Sequence, residues 1–342
     1  MSADPAGGFF RYVIAGCINR DYILPLSGEP QIDVLGGNLA YASIGLNLWG
    51  ETAGLVARVD QDFPLNRMAR FQNLGFDLSG IAISPESMDT RRFFAHTNGN
   101  TTHTKNPVQY FANRGVPFPP SLLGYQDKTP QYSSRTQPRG TSIKISDIPE
   151  DYLDANAVHI CPIDYLSHLL LPSVFRQGQA STISLASDPG YMSPSFWDEM
   201  PGLLSEITAF ITSETEIRSL FQGRQTDIWL MAENLGAWGP EYVLVKTTDW
   251  GYCLYDRMGA KRWIVPSYQS PQVVDPTGES DAFAGGFLAG YRQHYDPLEA
   301  TMMGSVAASV VIEGSGVFYG LDAMPGLLDL RREALRDLVR EI

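Results

Sequence analysis

Cysteine is scarce and scattered in this chain: Cys17, Cys161 and Cys253 are odd in number, and no two stand in a CxxC pair. That excludes a disulfide framework and offers no zinc-ligand spacing, so a reducing cytoplasm is the expected compartment. Basic residues are also few, with 25 Lys and Arg against 38 Asp and Glu for a formal net charge of −13. No cationic stripe is available to track a phosphate backbone, which argues against nucleic acid as a partner. Long hydrophobic runs are missing too, and the opening "MSADPAGGFFRYVIAG" lacks the basic-then-apolar order of a secretory leader. A membrane partner is therefore not expected. An anionic ligand would meet a repulsive overall field, so backbone amides and a cation such as Mg²⁺ would have to hold it locally.

What the sequence does contain is an alternation. The 342 residues are 44% apolar, enough to bury the core of one large α/β domain. "RYVIAGCI", "TAGLVARV", "SGIAIS", "NAVHICPI", "STISLASDPG", "ITAFITS" and "EYVLVKTTDWGYCLY" read as short β-rich runs, separated by helical stretches such as "LGGNLAYASIGLNLWG" and "FPLNRMARFQNLG". Strands alternating with helices predict a mainly parallel sheet covered on both faces. The alternation fails from Ala95 to Pro149, where Asn, Thr, Pro, Gln and Ser dominate. A long stretch of this kind inside a compact domain is functional or mobile. Across its start, "TRRFFAHTNGNTTHTKNPVQYF" reads as two strands turning at "NGN", a lid hairpin.

The stretch with the most chemistry is "VVDPTGESDAFAGGFLAGYRQH", Val273 to His294. It reads as a strand end, a turn from Asp275 to Ser280, and a helix in which Phe283, Phe287 and Tyr291 share one face. Gly285 and Gly286 inside the helix each cost roughly 0.8–1 kcal/mol against Ala, so something must approach the backbone there. The amides of Gly278, Glu279, Ser280 and Asp281 at the positive end of the helix form an anion site suited to a phosphate. A carboxylate beside it, Asp281, is placed to take a proton from an attacking hydroxyl. A blander alternative makes Thr277 or Ser280 a helix cap and Asp281 a partner of the helix dipole.

"DPTGESDAFAGGFLAGY" resembles the C-terminal signature of the ribokinase-like (PfkB) carbohydrate kinases, D-T-x-G-A-G-D-x-F-x-x-G-F, with Asp275, Thr277, Gly278, Asp281, Phe283, Gly286 and Phe287 in register. "RYVIAGCINRDYI" and "VLGGNLAYASIGLNLWG" are similar to the family's first strand, sugar-binding Asp and Gly-Gly loop. "SDPGYMSPSFW", "ITSETEIRSLF" and "VLVKTTDWGYCLY" resemble its D-x-N-x-R, N-x-x-E and nucleotide-flanking segments. The resemblance implies a three-layer α/β sandwich with a mostly parallel central sheet and a small β lid, here residues 19–34 and about 89–115. It implies ATP-dependent phosphoryl transfer to a hydroxymethyl group of a sugar or sugar-like alcohol, Asp281 being the general base and the Gly278, Glu279, Ser280 and Asp281 amides holding the migrating group. Asp21, Gly36, Gly37 and Asn38 would hold sugar hydroxyls, Lys246, Thr248 and Gly251 the nucleotide. Glu216 would place Mg²⁺ through water, and Asp275 and Thr277 would lie by a monovalent-cation site such as K⁺. Lids of this family also mediate homodimers. A nucleoside kinase shares every motif, and lid aromatics such as Phe93, Phe94, Tyr110 and Phe111 could stack on a base or form the lid's own core.

The chain departs from the pattern at four places. Glu279-Ser280 replaces Ala-Gly in the anion turn, adding a negative charge and, if the backbone there needs φ above zero, strain at Ser280. Ser213 replaces the asparagine of N-x-x-E, and Gly190 and Met192 replace the Asn and Arg of D-x-N-x-R. These substitutions motivate a third reading, a catalytically silent sugar- or nucleotide-binding protein. The Pro-rich insertion from about 115 to 145 could shape the substrate pocket or a partner surface.

Overall fold

The computed structural model describes residues 11–99, 101–127 and 132–342. The N-terminal ten residues, Asn100 in the expected "NGN" turn, and residues 128–131 of the insertion lie outside the described residues.

Fourteen strands occur among the described residues: β1 Tyr12–Ala15, β2 Asn19–Leu24, β3 Gln31–Gly36, β4 Gly54–Asp60, β5 Asp77–Ser84, β6 Arg91–Asn98, β7 Thr101–His103, β8 Ala157–Ile160, β9 Thr182–Ala186, β10 Ala209–Ser213, β11 Tyr242–Thr247, β12 Gly251–Asp256, β13 Lys261–Val265 and β14 Arg340–Glu341. Ten of them form one sheet in the order β14-β13-β12-β11-β10-β9-β8-β1-β4-β5. From β5 to β11 every neighbour is parallel, and β12, β13 and β14 add antiparallel at one edge. β1, β4 and β8 are buried at every residue, as strands covered on both faces must be. The mostly parallel sheet read from the alternation is therefore present. β13, a hairpin partner of β12, and β14, whose pairing with β13 is long-range, were not read from the sequence.

The second sheet has the order β3-β2-β6-β7 and carries its own small core of Tyr22, Leu24, Phe93, Ala95, Phe111, Leu122 and Tyr125. The expected hairpin is here: β6 pairs antiparallel with β7, Asn98 opposite Thr101. Phe93 and Phe111 are fully buried in this core. Their packing, and not base stacking, accounts for them. The helix expected over "FPLNRMARFQNLG" is shorter than its pattern, a 3₁₀ turn Leu65–Met68 running into Ala69–Asn73, and it ends before Gly75 at φ 92°. All three cysteines are unpaired, and no helix among the described residues is long and apolar enough to cross a membrane.

Three helices are packed so closely that glycine is required at their crossings. Asn38–Asn47 lies against Glu279–His294, where a Cβ on Gly45 would stand 2.0 Å from the Ala282 carbonyl oxygen and one on Gly285 would stand 1.9 Å from that of Ala42. On the other side Pro297–Val311 meets the same helix, and a Cβ on Gly286 would lie 2.8 Å from that of Ala307. The glycines inside the apolar segment thus mark backbone contact with two neighbours. The consequence for position is direct: the N-termini of Asn38–Asn47 and Glu279–His294 meet beside the carboxyl ends of the parallel strands, the usual ligand crevice of an open α/β sheet.

Candidate active site

The helix Glu279–His294 starts two residues earlier than its sequence pattern suggests, from Gly278 at φ 78°. The left-handed residue is therefore Gly278, where a Cβ would lie 2.0 Å from the Tyr41 ring. Glu279 and Ser280 are already helical and neither has a positive φ, so the replacement of Ala-Gly brings no backbone strain. No side chain caps this start. The cap reading of Thr277 is excluded by its actual partner, since its hydroxyl is bonded to His96 Nε2 at 2.8 Å.

Asp281 lies in the first turn and, together with Ser280, lines a cleft of about 280 Å³ whose other walls include Pro162, Thr212, Glu216, Lys246 and Phe283. Burial pushes the Asp281 carboxyl up to about 7, with Lys246 opposing the shift. A carboxyl poised near neutrality beside a helix N-terminus is chemically suited to accept a proton. Lys246, on β11, reaches Glu279 with Nζ 2.8 Å from Oε1. The extra acid of the turn is thereby partnered by a cation inside the same cleft.

Asp21, on β2, is 1% exposed, and neither carboxylate oxygen has a hydrogen bond of normal geometry. Burial raises it to about 7; the Gly37 amide and Arg92 oppose that, while Asp275 and Asp281 add to it. Gly36 is required by this carboxylate, because a Cβ there would stand 1.7 Å from Oδ2, and Gly37 takes φ 98° to start the next helix. Asn38 is engaged structurally, accepting from the Cys17 amide at 2.7 Å and donating to the Pro162 carbonyl at 2.5 Å. That ties the ends of β1 and β8 together below the cleft.

Glu216 also faces the cleft. Ser213 caps its helix, Glu214–Leu220, and the Ser213 amide and hydroxyl both donate to Glu216 Oε2, at 2.9 and 2.6 Å. Serine at this position therefore orients the glutamate. Burial raises the Glu216 carboxyl, and the Ser213 bonds oppose the rise. Among the described residues no three His, Cys, Asp or Glu side chains cluster as a metal cage. A hard cation at Glu216 would need water and substrate oxygens for most of its shell, which is how Mg²⁺ is usually held. Asp275 is 1% exposed; burial would raise it, but bonds from His96, Ser315 and Thr277 hold it below the usual carboxylate range. Thr248 lies exposed in the turn after β11, outside the cleft lining. Gly251 is explained by crowding, since a Cβ there would sit 2.3 Å from the Ser267 amide nitrogen.

Three residues near the site left no signal in the sequence. Arg92, on β6, is close enough to lower both Asp21 and Cys17, and it donates a hydrogen bond to the neighbouring Arg91 carbonyl. Arg139, from the insertion, donates to the Ile163 carbonyl and to Ser133, and lies 3.8 Å from Asp188. Ser133 in turn crosses Gly190, where a Cβ would meet its hydroxyl at 2.7 Å. The insertion thus occupies the strand end whose Asn and Arg are missing, while Met192 is a core residue packed among aromatic rings. His96 is the third. Arginines and a histidine in a Pro-rich or alternating stretch look like surface residues until the topology folds them inward.

A family model, "pfkB family carbohydrate kinase", matches residues 149–324. Among curated proteins, a cytidine kinase from Thermococcus kodakarensis is 27% identical over 308 residues, covering 89% of this chain and 96% of that one. Two solved structures share the fold. The nucleoside kinase of Burkholderia thailandensis in complex with inosine has a TM-score of 0.65 at 16% identity, over 95% of this chain and 98% of that one. The ribokinase of Arabidopsis thaliana complexed with ribose and ATP has a TM-score of 0.64 at 18% identity, over 96% and 98%.

Proposed function

The chain belongs to the pfkB family of carbohydrate kinases, and from that premise we propose that it transfers the γ-phosphoryl group of ATP to a hydroxymethyl group of a sugar or sugar-bearing alcohol, with Asp281 as general base. The observation that carries this reading is the position of Asp281 in the first turn of an uncapped helix, its carboxyl raised to about 7, in one cleft with Lys246 and Glu216. In the ionised form it takes the proton of the acceptor hydroxyl as that oxygen attacks phosphorus. The amides from Gly278 to Asp281 face the charge carried by the transferring group, which at a helix N-terminus needs no reorganisation. Asp21, buried without a hydrogen-bond donor of normal geometry, receives the acceptor's hydroxyls, with Gly36 and Gly37 giving them room beside it and Asn38 bracing the loop. Lys246 moves from Glu279 to nucleotide phosphate, and Thr248 and Gly251 border the nucleotide. Glu216 would hold Mg²⁺ through water; Asp275 and Thr277 would border a monovalent cation such as K⁺. Mg²⁺, when bound, neutralises phosphate charge.

The small sheet serves as a lid that excludes competing water. The exposed Ile32 on β3, with the exposed Val108 and Leu123 on the segments that follow β7, supports a homodimer through that lid. The likeness to a cytidine kinase over nearly the whole chain supports a nucleoside among the acceptors. Release of ADP with a panel of sugars and nucleosides tests the proposal: turnover with at least one acceptor that is lost in Asp281→Asn is expected, and an absence of Asp281-dependent turnover across the panel overturns it. In that event tight binding of a sugar would favour the silent alternative.

A further inference from the structure

We propose that His96 is a positioning residue that ties the small sheet to the anion turn, so that the amides after Gly278 are held in place by the seated sheet. Along β6 the residues facing the small sheet's core are Phe93 and Ala95. His96 points to the opposite side of the strand, as alternation requires, yet only 2% of its side chain is exposed. What covers it is the turn. His96 Nε2 lies 2.8 Å from Thr277 Oγ1 and 3.2 Å from Asp275 Oδ1, and Nδ1 lies 3.0 Å from Thr102 Oγ1 of β7.

The bookkeeping of donors is consistent. Asp275 is held ionised and only accepts, so the ring proton belongs on Nε2, and the Thr102 hydroxyl donates to Nδ1. Asp275 Oδ1 also accepts from the Thr277 amide at 2.9 Å, and Ser315 donates to Oδ2. On the side of the large domain the same segment is tied by Val274 and Asp275 amides donating to the Ile312 carbonyl. On the side of the small sheet the Leu26 amide donates to the Val274 carbonyl at 2.8 Å, and His96 supplies the side-chain strut. Gly278, one residue past Thr277, is left-handed and has no side chain of its own to fix it. Its direction is therefore set by the residues before it, which His96 grips. Because a displacement of about 1 Å at a reacting centre can cost on the order of 100-fold in rate, a strut here acts on turnover more than on binding.

The effect on turnover rests on the kinase reading above; the effect on the turn does not, and the experiment reads both. Amide hydrogen exchange is measured over residues 276–282 in wild type, His96→Phe, His96→Gln and Thr102→Val, with steady-state kinetics on the same preparations. Thr102 is exposed, so its variant keeps the question open if His96→Phe does not fold. Faster exchange confined to this segment in His96→Phe and Thr102→Val is expected, with His96→Gln, which keeps a donor, near wild type. Alongside it kcat should fall by about 10- to 100-fold in His96→Phe with both KM values within about threefold. Exchange at 276–282 unchanged in both His96→Phe and Thr102→Val, or raised equally everywhere in step with global unfolding, overturns the proposal. A wild type that transfers no phosphate while its turn still loosens in these variants would overturn the kinase reading and leave the strut standing.

Discussion

Two buried carboxyls define the site at the scale of single residues. Asp21 and Asp281 both have folded-state values near 7, raised first of all by burial, whereas in the unfolded chain each titrates near 3.8. The ionised forms are thus disfavoured by the fold: between pH ~4 and ~7 the native state binds more protons than the unfolded chain, so stability falls as pH rises through that window. Asp21→Asn should raise stability at pH 8 by about 2 kcal/mol, the gain shrinking as pH falls towards 4, and should raise the acceptor KM. Denaturant melts at both pH values check it; a loss of stability at pH 8 would mean that Asp21 is satisfied by partners within the fold. Glu279 gives a second residue-scale prediction. Its carboxylate holds Lys246, so Glu279→Gln releases that ammonium and should lower the KM for ATP by about 3- to 10-fold at low salt, the gap closing as salt screens it. An increase would show that Glu279 itself orders the nucleotide site. At this scale much was legible: Asp21, Glu216, Lys246 and Asp281 were each singled out from motif and chemistry. The partner of Glu279 was not, because Lys246 on β11 and Glu279 are distant in sequence and are brought together only by the fold.

Elements carry the geometry that brings these groups together. The crossing of Asn38–Asn47 with Glu279–His294 depends on Gly45 and Gly285, where added Cβ atoms would fall about 2 Å from carbonyl oxygens. Such contact admits no side chain without separating the helices, so Gly285→Ala should cost roughly 3 kcal/mol or more and lower turnover by shifting Asp281 from the Gly36–Gly37 loop. Gly202 is the control: it lies in the helix Met200–Leu204 with open space around its Cβ direction, and Gly202→Ala should gain up to about 1 kcal/mol. Equilibrium unfolding of both variants decides, and a neutral Gly285→Ala would contradict the described crossing. The helix glycines signalled close approach in the sequence itself, since their propensity cost had to be offset by packing. Which helices approach was not legible, because that depends on chain reversal across more than 200 residues.

At the scale of the whole molecule the parallel sheet followed from periodicity and the small sheet from a turn signal together with the family resemblance, but the insertion followed from neither. Its composition reads as plain loop, yet Ser133 and Arg139 cover the end of β9 and displace the side chains that the family pattern places there. The ends of β9, β10 and β11 and the first turn of Glu279–His294 line one cleft, and the proposed chemistry turns on what Asp281 does inside it. The most direct test is the pH dependence of single-turnover phosphoryl transfer, ATP saturating, in wild type and Asp281→Asn. The wild-type rate should rise as pH increases through about 7, where Asp281 loses its proton, and Asp281→Asn should bind ATP normally while transferring about 10²–10⁴-fold more slowly without that rise. A variant within about tenfold of wild type, or one retaining the same acid limb, would contradict the assignment of Asp281 as the base.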